Sequence, residues 1–147
     1  MNDKNLEPDI SRTKPISNLT LQDALIAITV YASQTDPANC EGDVNRIVAL
    51  ARNHELFNEN SEATRARINK FVEHMNADKS NRYVDLAAAS LPSKLKKIAF
   101  SWAVELSLDQ AGSLEEKQNR IDDLRIRLGI DNLIARQLIN KIEGKAS

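Results

Sequence analysis

An acidic pair recurs in this chain at a fixed offset. Asp36 and Asp43 stand seven residues apart between two apolar segments, and Asp109 and Glu116 repeat that spacing 73 positions later. The same offset lays apolar on apolar before the pair (Leu25 on Ile98, Ile26 on Ala99, Ala27 on Phe100, Val30 on Ala103, Tyr31 on Val104) and after it (Val48 on Ile121, Ala51 on Leu124, Phe57 on Ile130). Almost none of these matches is an identity, so what repeats is a pattern of burial. Such a pattern predicts two similar helix–acidic loop–helix units sharing one core.

Between the breaks the apolar periodicity is helical throughout, and no segment alternates as a strand does. Only four glycines and four prolines punctuate the 147 residues. Thr20, with Asp23 three residues on, has the form of a helix start. After it Leu21, Ala24, Leu25, Ile28 and Ala32 form one face, while Ile26, Ala27 and Val30 leave the other faces apolar too. A helix apolar all round belongs in the middle of a bundle. A second helix is expected from about Cys40 to His54, with Val44, Ile47, Val48 and Ala51 inward, and a third from about Ser61 to Ala77, with Ile68, Phe71, Val72 and Met75 inward. A short helix over Arg82 to Ala89 follows, and Pro92 is expected in the first turn of the next, which carries Leu95, Ile98, Ala99, Trp102 and Leu106. Ser113 and Glu116 form a capping box for a helix with Leu114, Ile121, Leu124 and Leu128 inward and Gly129 as its left-handed terminator. Asp131 caps a last helix burying Ile134, Leu138 and Ile142. The expected fold is an all-α, single-domain bundle of six to seven helices. Residues 1–19 read as a flexible polar arm and residues 20–147 as the helical domain.

A chain of this length buries roughly two thirds of the surface its unfolded form exposes, so it folds without a staple. One cysteine, Cys40, leaves no internal disulfide, and no Cys/His cluster has zinc spacing. The longest uncharged apolar stretch, Ala24 to Thr35, falls short of the ~20 residues needed to cross a bilayer. The N-terminus lacks an apolar signal-peptide core. These features predict a cytoplasmic chain that is not itself transmembrane. A net charge of −1 sets up no global field for nucleic acid, and aromatic content of 4% provides few stacking surfaces beside Lys94, Lys96, Lys97, Arg65, Arg67 and Lys70, which read as solvated faces.

The acids are the candidate site. Asp36 and Asp109 fall in interhelical loops, Asp43 and Glu116 in the first turns of the helices that follow, and Glu41 and Glu115 lie beside them. Crowded carboxylates recruit a hard cation such as Ca²⁺, Mg²⁺ or Mn²⁺. Equally, acids at a helix N-terminus satisfy the macrodipole and the free amides with no ligand involved. Neither loop has the EF-hand run. His54 and His74 lack Glu-x-x-His spacing, no serine sits in a Gly-x-Ser-x-Gly turn, and glycine-rich phosphate loops are absent. No catalytic residue or organic cofactor site is expected.

A helix rich in alanine and isoleucine, an Asp at the loop, an acid seven positions on and an apolar helix ending near Gly129-Ile130 together resemble the TerB family of tellurite-resistance proteins. Their helical module is similar to one in some DnaJ-like membrane co-chaperones. The likeness covers most of the chain after Thr20. Where that family has Asp-Gly at each loop, this chain has Asp36-Pro37 and Asp109-Gln110, with glycine displaced to Gly42 and Gly112. The resemblance implies a non-enzymatic role in tellurite or other chemical stress, divalent-cation binding at Asp36, Asp43, Asp109 and Glu116, and a protein partner associated with the membrane. From a different class stands a helical protein–protein interaction module whose acids only cap helices.

Overall fold

A computed structural model describes residues 19–33, 41–78, 80–108 and 112–146, all of them helices and the turns between them, with no strand among the described residues. The helices are α1 (Leu21–Ser33), α2 (Glu41–Arg52), α3 (Ser61–Ala77), α4 (Arg82–Ser90), α5 (Ser93–Leu108), α6 (Leu114–Leu128) and α7 (Asn132–Ala146), with a 3₁₀ turn at Glu55–Phe57. The expected N-terminal arm lies outside the described residues, apart from Leu19.

The 73-residue register carries into the structure. Helix α2 begins at Glu41 and α6 at Leu114, the same offset. In that register α1 corresponds to α5, α2 to α6 and α3 to α7, and α4 has no counterpart.

Helix α1 is the axis of the bundle. From Asp23 to Val30 every residue is buried, and α4, α5 and α3 all pack against it. Its start is as the sequence predicts, with Thr20 Oγ1 accepting from the Asp23 amide at 3.0 Å. Leu21, expected inward, is exposed on the first turn, ahead of the surrounding helices. Trp102 is buried, its ring tilted against Phe57 and met edge-on by His54. His54 Nδ1 also accepts from the Leu56 amide at 3.1 Å and so caps the 3₁₀ turn.

The other helix ends follow from local chemistry. Ser113 and Glu116 complete a reciprocal capping box, and Gly129 closes α6 at φ 69°, where a side chain would be strained. Asp131 Oδ2 accepts from the Leu133 amide. Pro92 stands one place earlier than expected: its carbonyl accepts from Leu95 and Lys96, so it precedes the first turn of α5.

Two ion-pair networks tie the helices together. Asp23, only 7% exposed, accepts from Arg67 Nη1 at 2.7 Å. Arg67 also donates to Glu59 through Nε and Nη2, and the Thr64 hydroxyl donates to Glu59 at 2.7 Å. Hydrogen bonding from Arg67 holds the Glu59 carboxyl below its ordinary range, against the upward push of partial burial. Arg67 is thus turned inward across α1 and α3, where the sequence suggested a solvated face. On the other side, the Tyr31 hydroxyl donates to Asp123 at 2.7 Å, and Arg127 bridges Asp123 and Asp85, with its guanidinium over the Tyr31 ring. Burial, then the hydrogen bond to Asp123, raises the Tyr31 phenol above its ordinary value. Tyr83 stacks on Phe71 with its hydroxyl buried and, among the described residues, without a hydrogen-bond partner.

Candidate functional site

The acids of the sequence-predicted site meet ordinary local partners where they are described. Glu116, the third residue of α6, accepts from the Ser113 amide through Oε1. Asp43, the third residue of α2, pairs with Arg46 at 2.8 Å one turn on. Glu41 and Glu115 sit exposed in the first turns of the same helices. Asp36 and Asp109 lie outside the described residues. Among the described residues no group of three His, Cys, Asp or Glu side chains is gathered as metal ligands.

A different feature stands out between α5, α6 and α7. Helices α6 and α7 both pack on α5 but scarcely on one another, whereas their counterparts α2 and α3 pack closely together. The divergence opens a cavity of about 480 Å³, lined by the half-buried Ile121 and Ile139 over the buried Phe100, Val104 and Ala135. That volume falls within the range of ligand and peptide sites. Two large apolar side chains stand exposed at its edge, Leu108 and Leu114, the latter 70% exposed.

The last two helices depart from the expected core, and on α6 the departures, Leu114 and Ile121, line the cavity. Leu114 was expected inward with Ile121, Leu124 and Leu128, yet only Leu124 and Leu128 are buried. On α7 the expected Ile134, Leu138 and Ile142 are half-buried, and Ala135 is the residue that reaches the core. An apolar stripe read from sequence specifies a face but not whether another helix covers it. Here the face is only partly covered.

The charges along the cavity are unevenly matched. Arg125 pairs with Asp122 at 3.1 Å and donates to the Ile130 carbonyl. Lys117 on α6 and Arg136 on α7 line the cavity and make no side-chain ion pair among the described residues. An apolar floor with uncompensated cations on both walls can hold an apolar body that carries negative charge. No sequence motif marks this site; its signal was the excess of apolar residues on α6 and α7 over what one core can cover.

None of the described helices is long and apolar enough to cross a membrane. No family model, no curated protein and no solved structure matches the chain.

Proposed function

We propose that this chain is a non-enzymatic, cytoplasmic interaction module that holds a partner protein in the groove between α5, α6 and α7. The observation that carries this reading is the divergence of α6 and α7 over α5, which leaves Leu108 and Leu114 exposed and Ile121 and Ile139 half-buried, without a covering helix. Contiguous exposed apolar surface rimmed by charge is where partners bind. The test is retention of partners from cells that make the chain naturally. Tagged chain is compared with Leu108→Asp/Leu114→Asp, whose changes fall on exposed side chains and whose folding is checked by a matching thermal melt. Proteins held by the first and lost by the second support the reading; an identical set on both removes the groove from consideration.

A second reading is favoured by the placement of Asp43 and Glu116, each third in its helix at the common 73-residue offset. On that reading Asp36 and Asp109 join them around a divalent cation. The chain then serves tellurite or other chemical stress through a membrane-associated partner, as the TerB resemblance implies. Stabilisation by Ca²⁺, Mg²⁺ or Mn²⁺ that is lost in Asp36→Asn/Asp109→Asn distinguishes it.

A further inference from the structure

We infer that the occupant of the α5–α6–α7 groove is an acidic, amphipathic α-helix of about three turns, supplied by a partner protein; this rests on the reading of the chain as an interaction module and specifies what that module recognises.

Shape is the first reason. Lining residues run from Leu114 to Arg125 on α6 and from Asn132 to Glu143 on α7. Each wall is eleven residues of helical rise, about 16 Å, which is the length of three turns of a docked helix. The groove is a trough open along one side, the form in which an amphipathic helix lays apolar anchors at i, i+3 or i+4, and i+7. In the first half of the chain the equivalent helices, α2 and α3, close upon each other. The second half leaves that space for an incoming helix.

Charge is the second reason, and it sets the sign of the occupant. Three of the charged side chains lining the groove are basic (Lys117, Arg125, Arg136) and two acidic (Asp122, Glu143), and Asp122 pairs with Arg125. The cations Lys117 and Arg136 face the trough from opposite walls with no ion pair among the described residues. An occupant with acids beside its apolar stripe meets both. A basic or neutral helix leaves two cations at the edge of an apolar contact with nothing opposite them, and like charge there costs affinity.

The experiment is a display selection of random 16-residue peptides on the full chain, with binders then measured by fluorescence anisotropy. Three proteins are compared: the unaltered chain, Lys117→Glu/Arg136→Glu and Leu114→Glu. All three changes fall on side chains outside the core, and matching thermal melts establish that each variant is folded. The expected binders carry apolar residues at i, i+3 or i+4, and i+7 flanked by Asp or Glu. Their affinity falls at least tenfold on the charge-reversed protein and weakens with salt. Binders that require Leu114 but are neutral or basic, or that ignore the charge reversal, overturn the acidic-helix inference and leave the interaction module standing. Failure to obtain any peptide whose binding depends on Leu114 overturns both.

Discussion

Replacing Arg67 by methionine removes a guanidinium while keeping most of its aliphatic stem. In the folded chain that group donates to Asp23 Oδ1 at 2.7 Å, and to Glu59 from Nε and Nη2 at 3.2 Å each. Its loss strands Asp23. That carboxylate, with a side chain 10% exposed, then keeps Lys70 Nζ at 3.7 Å as its nearest cation, on a lysine that is mostly in water. Breaking a fully buried pair costs about 3 to 5 kcal/mol, and an exposed pair contributes about 0 to 1 kcal/mol. Asp23 is close to the first limit, while the Arg67 and Glu59 side chains, at 27% and 19% exposure, are intermediate. The expected cost is therefore about 2 to 3 kcal/mol by urea denaturation, or roughly 6 to 10 °C in Tm for a chain of this length. Asp23→Asn in the Arg67→Met background should recover part of the loss, giving a coupling of about 1 kcal/mol or more in the double-mutant cycle.

The pH dependence has a definite sign. Because Arg67 holds the folded-state pKa of Glu59 below its unfolded value, this contribution is present at neutral pH. It is lost as pH falls from the ordinary carboxylate range, about 4.3, through the lowered folded value. The deficit of Arg67→Met relative to the unaltered chain should thus narrow between pH 5 and pH 3. A cost below about 1 kcal/mol at pH 7, or a deficit unchanged across that interval, refutes the view that this network stabilises the α1–α3 contact.

Tyr83→Phe removes a buried hydroxyl that has no partner among the described residues, so urea denaturation should show stability unchanged or raised by up to about 1 kcal/mol; a loss above about 0.5 kcal/mol would reveal a hydrogen bond to that oxygen. Leu114→Ser should change stability by less than about 0.5 kcal/mol, whereas Leu124→Ala, ten residues along the same helix but 1% exposed, should cost about 2 to 5 kcal/mol. Equal effects at the two positions would mean that the groove is closed in solution. Calcium, magnesium or manganese titrated at fixed ionic strength separates capping from coordination: the capping geometry of Glu116 predicts no specific shift in Tm. Stabilisation of about 2.7 kcal/mol at a hundred times the dissociation constant would instead establish a cation site.

The helices were legible because their causes are local. The spacing of Ala24, Leu25 and Ile28, the Ser113–Glu116 cap and the glycine at 129 each act within a few residues of themselves, and the structure places helix ends accordingly. The ion-pair networks were not legible, because Asp23 and Arg67 are 44 residues apart and meet only once α1 and α3 are packed. The groove lies between these cases. Leu114 and Ile121 carry the right period for burial, but nothing local reports that α6 and α7 diverge. Of the four acids first singled out, Asp43 and Glu116 show short-range bonds of the kind helix starts make.

The position of α1 has a consequence for how the chain is made. It is synthesised before the helices that cover it, and its residues from Asp23 to Val30 are all buried in the finished fold. Much of what buries it, α4 and α5, is encoded beyond Asn81. At synthesis rates of about 5 to 20 residues per second, several seconds separate the appearance of Ser33 from that of Ser90. During that interval the run from Ala24 to Val30 is an uncovered apolar segment on a nascent chain, the kind of surface that chaperones shield and that drives aggregation when they do not. The helix that organises the finished bundle is thus its principal liability during synthesis. Yield on expression should depend more on the supply of chaperones than the stability of the finished fold alone would suggest.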